Sequence, residues 1–347
     1  MLIPLTKFFK KRQENYIRNW KEQDNFEKFG GILFFLIVIG TAIFIPEEYR
    51  KDAVNFLFIF SIFYMALMHN RIRKAKRELI DKNKEIKLQK HLVEEHQQEI
   101  IDSITYAKRL QRAILPSDEE IKKYFPYSFL LYKPKYIVAG DFYWMEHIDE
   151  ITFIAAADST GHGVPGAMVS VVCSNALNRA VKELGLRDTG KILDKTRDLV
   201  LETFAKSGEE IKDGMDISLL SINKNNHQTF WSGANNQLWY IKNKGTAILE
   251  IKADKQPIGK TDYPKPFKTH QLDVQKGDTI YLITDGYPDQ FGGEKGKKFM
   301  SKNLKELLQN NAHIEMTEQK ALLNQTFKNW VGDLEQVDDV TIIGIKV

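Results

Sequence analysis

Residues 151–168 read I-T-F-I-A-A-A-D-S-T-G-H-G-V-P-G-A-M. An apolar run from Ile151 to Ala157 ends at Asp158. Gly161, Gly163 and Gly166 then interleave with His162 and Pro165. The first part reads as a short, fully buried strand. The glycines let the backbone approach a ligand closely, and Pro165 suits the first turn of a helix. A carboxylate, a flexible loop and a helix start so close together point to an anion or metal site. No G-K-S or G-K-T string is present, so a P-loop is excluded. The glycine spacing is wrong for a dinucleotide fold, and there is no G-x-S-x-G for a serine hydrolase.

Working outward, further acids stand at the edges of other apolar runs. Asp141 lies in A-G-D-F-Y-W. Asp285 follows Thr279 to Thr284 and opens D-G-Y-P-D. Asp338 and Asp339 precede Val340 to Val347. A single Asp at a strand end is ordinarily a turn residue, because its side chain bonds the local backbone. A set brought together by a sheet is different, since clustered carboxylates repel one another unless a cation joins them. Hard divalent ions with oxygen ligands answer that need. Further strand-like runs fall at Phe129–Tyr132, Asp216–Ile222, Gln228–Trp231 and Leu238–Lys242. Helical patterns fall at Pro165–Leu184, Lys191–Lys206, Ser301–Gln309 and Thr317–Trp330. N-N-H-Q and A-N-N-Q mark turns between consecutive strands, so antiparallel pairing is expected. Residues 116–347 therefore read as one α+β domain.

The front of the chain has a different character. Residues 29–45 and 53–68 contain no charged side chain. Each is slightly short of the roughly 20 residues of a membrane span, a gap that flanking residues and membrane thinning can close. Both runs are apolar on every face, unlike a core helix that keeps a polar stripe, and they read as a two-span hairpin over 29–70. Lysines and arginines crowd residues 1–28 and 71–77, whereas the intervening loop carries only Arg50 and Lys51. Both flanks are thus expected in the cytoplasm and the loop outside, at the inner membrane. No A-x-A-like site separates the runs, so a cleaved leader is not expected. Residues 71–115 lack Gly and Pro, and an apolar column recurs every seven residues at Ile72, Leu79, Ile86, Val93, Ile100, Ala107 and Ile114. That is a coiled-coil seam with a polar second column, and it predicts a marginal homodimeric stalk. A net charge of +4 gives no sign of nucleic-acid binding. One cysteine, Cys173 in an apolar stretch, excludes a disulfide framework.

The strings Y-A-K-R-L-Q-R-A-I-L-P, A-A-D-S-T-G-H-G-V-P-G-A, D-G-M-D-I-S-L, G-D-T-I-Y-L-I-T-D-G and Q-V-D-D-V-T run in order over residues 106–347. Together they resemble the metal-dependent (PPM, type 2C) protein serine/threonine phosphatases in their bacterial SpoIIE-like branch. The resemblance implies an α-β-β-α sandwich of two antiparallel sheets flanked by helices, holding two Mn²⁺ or Mg²⁺ ions. It implies that Asp158 bridges both ions. Asp141 and the Ser159 carbonyl would hold one, and Asp285 with Asp338 the other, Asp339 being the second choice. It implies hydrolysis of phosphoserine or phosphothreonine by an activated water, with His162 as a candidate proton donor. The partner would be a phosphorylated regulatory protein, such as an anti-sigma-factor antagonist. Lys133 and Lys135 are candidate phosphate clamps, and Asp289 a candidate neighbour of the site. The rival reading is a pseudophosphatase that binds a phosphoprotein without hydrolysis. A membrane-anchored coiled-coil scaffold would explain only residues 1–115.

Overall fold

The computed structural model describes residues 46–206, 212–243, 245 and 247–347, with positions 31, 32, 36, 38–40, 43 and 44. The first apolar run falls largely outside the described residues; its described positions before Pro46 are helical. The chain divides into two compact units, 1–95 and 96–347.

In the first unit a short 3-10 turn, Glu47–Tyr49, leads into α1, Arg50–Ile114, whose last residues belong to the second unit. No Gly or Pro interrupts these residues, and the helix stops just ahead of Pro116. The second apolar run and the seven-residue column therefore belong to one unbroken helix. Among the described residues this is one helix long and apolar enough to cross a membrane, and none of its apolar window is buried by protein. Phe56, Phe58, Ile59 and Phe63 are all exposed.

The second unit is built from two five-stranded sheets. The strands are β1 Ser128–Lys133, β2 Phe142–Ile148, β3 Ile151–Ser159, β4 Met215–Asn223, β5 Thr229–Ala234, β6 Leu238–Ile241, β7 Ile248–Ile251, β8 His270–Leu272, β9 Thr279–Ile283 and β12 Val340–Lys346. One sheet has the order β1-β12-β9-β6-β7 and the other β2-β3-β4-β5-β8, with every ladder antiparallel. A small hairpin, β10 Phe291–Gly292 with β11 Lys297–Lys298, stands apart. The helices are α2 Asp118–Tyr124, α3 Gly163–Asn178, α4 Thr189–Ala205, the single turn α5 Gly286–Asp289, α6 Ser301–Asn310 and α7 Met316–Val331.

The alternation of strand side chains builds the layers. Ile154 and Ala156 of β3 pack with Leu130, Leu220, Leu282 and Ile343 between the sheets. Phe153, Ala155 and Ala157 face the other way, against Cys173 and Leu177 of α3 and Leu193 of α4. On the opposite flank Phe129, Tyr281 and Ile342 pack on Leu304 of α6 and on Leu323 and Phe327 of α7. β3 is thus buried on both faces, which is why its sequence reads as a continuous apolar run rather than an alternating one.

The sequence reading does not include α2, β2, β7, β8, the single turn α5 or the β10–β11 hairpin. α2 opens with Ser117, whose hydroxyl accepts from the Glu120 N–H, a capping signal in S-D-E-E. β2 begins inside A-G-D-F-Y-W, where Phe142 and Trp144 are buried strand residues. β7 and β8 are short, with exposed polar positions. The predicted helix to Leu184 leaves α geometry at Asn178 and continues as a π-helical turn, Arg179–Glu183.

Candidate active site

Antiparallel register gathers the acids. β2 starts where β3 ends, with Phe142 opposite Ala157, so Asp141 arrives beside Asp158. β4 starts there too, with Asp216 directly opposite Asp158. In the other sheet β9 ends where β12 begins, with Ile283 opposite Ile342 and the Thr284 N–H donating to the Thr341 carbonyl at 3.0 Å. Asp285 and the Asp338–Asp339 pair are thereby brought together.

Asp141 is 2% exposed. Its Oδ2 accepts from the hydroxyls of Thr284 at 2.6 Å and Thr341 at 2.8 Å. Burial first, and repulsion from neighbouring carboxylates second, push Asp158 far above the usual carboxylate range. Burial likewise outweighs the two threonine hydrogen bonds and raises Asp141. Asp285 keeps contact with solvent, yet desolvation by the cleft walls, then Asp338 and Asp289, push it up to about 6. Oxygens so crowded with negative charge favour a cation. The donor set is all oxygen, which fits a hard divalent ion. Among the described residues no group of three or more His, Cys, Asp or Glu side chains is arranged so that it could hold a metal ion as it stands.

The D-D pair divides its work. Asp339 is buried, and both its oxygens are taken by backbone: Oδ1 accepts from the Lys135 N–H at 2.6 Å, and Oδ2 from Gly140 at 2.7 Å and Asp141 at 3.4 Å. Asp338 lines an open cavity of about 300 Å³ with Asp158, Ser159, Thr160, Gly161, His162 and Asp216. Ser159 is not in the left-handed region, so its backbone needs no glycine. Its Oγ lies 2.6 Å from the Gly140 carbonyl and 3.0 Å from that of Gly166. At Gly140 and Gly166 alike, a Cβ would collide with the Gly161 carbonyl, so both glycines serve close backbone approach. His162 occupies the N-cap of α3 without capping it, and its exposed ring lies 5.3 Å from that of Tyr136.

Other candidates are spent elsewhere. Lys133 donates to Asn324 Oδ1 at 3.0 Å and lies over the Phe327 ring, so it serves α7 and not the cavity. Lys135 lies over Tyr136. Asp289 pairs with Lys298 of the small hairpin at 2.9 Å. Cys173 is a buried core thiol.

Three residues escaped the sequence reading. Lys212 and Asp216 line the cavity. Asp216 could have been found, because it opens the strand that must pair with β3. Gln111, in the last turn of α1, is 5% exposed. Its Nε2 donates to the Ala139 carbonyl at 2.7 Å and to Ser170 Oγ at 3.1 Å, and its Oε1 accepts from the Ala139 N–H at 3.2 Å. It thus grips the backbone two residues from Asp141.

Mixed helices around two sheets, with a carboxylate-lined cavity at the strand ends, define a PP2C-type phosphatase domain. Residues 149–347 match the family described as Stage II sporulation protein E (SpoIIE), and the chain belongs to that family. Asp141 stands ahead of the matched residues. The SiaA PP2C domain of Pseudomonas aeruginosa is 30% identical, with 72% of this chain and 98% of that one covered and a TM-score of 0.65. A Bacillus subtilis structure of the SpoIIE PP2C phosphatase domain with a fragment of its regulatory domain shares the fold at 17% identity, covering 63% of this chain and 62% of that one, with a TM-score of 0.51. The RsbU and RsbW domains of a Mycobacterium tuberculosis protein do so at 16% identity, covering 63% and 59%, with a TM-score of 0.50. No curated protein sequence matches the chain.

Proposed function

We propose that the protein is a membrane-tethered, metal-dependent phosphatase that removes phosphate from serine or threonine of a regulatory partner protein. The observation that carries this is the convergence of Asp141, Asp158, Asp285 and Asp338 from four strand ends. When bound, two divalent ions would supply the charge that activates a water and offsets the phosphoryl oxygens. Asp158 would hold both ions, Asp141 and the Ser159 carbonyl one of them, and Asp285 with Asp338 the other. Asp339 is assigned a structural part, because its oxygens are already committed to backbone. Lys212 adds positive charge at the cavity, where a phosphate would lie. His162, which lines the cavity and is exposed beside Tyr136, would return a proton to the leaving serine or threonine oxygen.

The tether follows from the exposed apolar stretch of α1, since a continuous run of uncovered phenylalanine and isoleucine belongs in lipid. We assign residues 1–28 to a cytoplasmic segment, 29–70 to two spans, 71–115 to a dimerising stalk and 116–347 to the phosphatase. A regulatory phosphoprotein of the anti-sigma-antagonist type accords with the company of RsbU and RsbW domains in one solved relative.

Hydrolysis of p-nitrophenyl phosphate by residues 96–347, with and without Mn²⁺ or Mg²⁺, tests the enzymatic reading. Metal-dependent turnover is expected. A folded fragment that binds phosphopeptide but turns over neither that peptide nor p-nitrophenyl phosphate would establish the pseudophosphatase instead.

A further inference from the structure

The catalytic cavity has one wall that belongs to no strand or helix. Pro257 and Gly259 line it, at the start of a loop running from 257 to 264. The loop is tied at its base. Gln256 is buried; its Oε1 accepts from the Lys265 N–H at 3.0 Å and its Nε2 donates to the Lys265 carbonyl at 2.8 Å, so one side chain closes both ends. Arg197, also buried, donates to the same Lys265 carbonyl at 3.0 Å and to Gln256 Oε1 at 3.3 Å. Arg197 is itself fixed by Asp194 at 2.9 Å. Ile258 is fully buried and exchanges backbone hydrogen bonds with Met215, at 3.0 and 2.8 Å, one residue from Asp216. A loop with joined ends and a buried inner anchor is a compact surface element of the kind that carries recognition.

What the loop displays is not explained by packing. Tyr263 is 85% exposed, in K-T-D-Y-P-K-P. Lys255, Lys260, Lys265 and Lys268 are exposed. Residues 252–268 carry five lysines against two aspartates, Asp254 and Asp262. Asp254 is partly spent, because its Oδ2 accepts from the Lys268 N–H at 2.8 Å. A rigid loop has thus been given a positive rim and a protruding aromatic ring, continuous with the cavity wall.

We propose that residues 257–265 form the docking lip for the phosphoprotein, and that they read an acidic segment beside the phosphorylated residue. This rests on the phosphatase reading for the identity of the cavity, while the lip's own chemistry fixes the partner's sign of charge. Lys260 and Lys265 supply the electrostatic complement and Tyr263 the flat contact that rotamer-poor aromatic residues provide at interfaces. Clamping the base by Gln256 and Arg197 prepays the ordering of the loop, so docking loses less entropy.

The probes are two fluorescein-labelled phosphoserine peptides, one flanked by Asp and Glu and the other by Lys, with p-nitrophenyl phosphate as the small substrate. Residues 96–347 suffice, because this unit contains all three apolar cores, and the part of the chain that matches a separately solved phosphatase domain, covering 98% of it, is 72% of the whole. Wild type should prefer the acidic peptide in both anisotropy and kcat/KM. In Lys260→Glu/Lys265→Glu the ratio of acidic-peptide to p-nitrophenyl phosphate kcat/KM should fall roughly tenfold, and the preference should shrink with added salt. Tyr263→Ala should lower the ratio for both peptides. An unchanged ratio in the charge-reversed variant, or a wild-type preference for the basic peptide, would overturn the proposal. If nothing is hydrolysed, the phosphatase reading fails, and anisotropy of the same peptides on the same variants still decides whether the lip selects acidic segments.

Discussion

Gln111→Ala isolates how the last turn of α1 sets the position of Asp141. The substitution removes three hydrogen bonds, two to Ala139 and one to Ser170. Ser170 keeps its bond to the Ala167 carbonyl at 2.7 Å. Ala139 is fully buried and loses both partners, so one N–H and one C=O are left unpaired in the interior. Each such group costs about 1–3 kcal/mol, so a loss of about 2–6 kcal/mol is expected, a large share of the roughly 5–15 kcal/mol of a typical domain. Urea denaturation of residues 96–347 measures it, with Gln98→Ala as control, since Gln98 lies on the same helix and bonds only an exposed Asp102. Asp141 follows Ala139 by two residues, so Mn²⁺ affinity by calorimetry should fall about 10- to 100-fold, as for other groups that orient metal ligands. A Gln111→Ala protein with unchanged midpoint and unchanged Mn²⁺ affinity would refute the reasoning.

Asp158→Asn should lower p-nitrophenyl phosphate turnover by at least about a hundredfold with little change in thermal midpoint; wild-type turnover would sink the two-ion assignment. Asp338→Asn should behave likewise, whereas Asp339→Asn should lose about 2–4 kcal/mol of stability, because an amide cannot accept three backbone N–H groups; the reverse pattern would exchange their parts. Asp278 is buried and, although burial alone would raise it, the N–H groups of Gln275 and Asn243 and the Lys242 ammonium hold it below the usual carboxylate range. Its stabilisation is complete above an unfolded carboxylate pKa of about 3.9 and is lost as pH falls through the depressed folded value, so Asp278→Asn should flatten the acid limb of the stability profile. The sole cysteine, Cys173, is buried, so thiol labelling in cells is clean: Glu48→Cys should react from outside and Lys74→Cys only after lysis, and external labelling at Lys74 would overturn the two-span topology.

The acids were legible in the sequence for a physical reason. A strand buried on both faces spells a continuous apolar run, and its end is marked by the first residue that must meet solvent or an ion, as Ala157 gives way to Asp158. Asp285 follows the same rule just beyond β9, whereas Asp141 comes immediately before its strand and is buried. What was not legible depends on partners remote in sequence. Gln111 looks like any polar residue of a charged helix, because its partners are 28 and 59 residues away. The choice between Asp338 and Asp339 turns on which of two adjacent side chains faces the interior, and the string Q-V-D-D-V-T does not state where its register begins. Lys133 misled because its position beside Asp141 in sequence does not reveal that its side chain is drawn to α7.

Asp141 shows where control over the site can enter. The segment between β1 and β2 has no helix or strand of its own, so nothing local fixes this carboxylate. Its position comes from elsewhere: Asp339 holds the N–H groups of Lys135 and Gly140, Gln111 holds Ala139, the Tyr132 hydroxyl donates to the Asp141 carbonyl at 3.0 Å, and Thr284 and Thr341 hold its Oδ2. Of these five residues, Asp339 and Thr284 adjoin the other proposed ligands Asp338 and Asp285, Thr341 lies in β12 just after Asp338, and Tyr132 belongs to β1. Gln111 is the exception, because it belongs to α1. A small rotation of the last turn of α1 would therefore displace Asp141 relative to acids whose own supports stay in the sheets. Two-state control needs such a contact: one made by the moving element, buried enough to matter, and absent from the rest of the site's support.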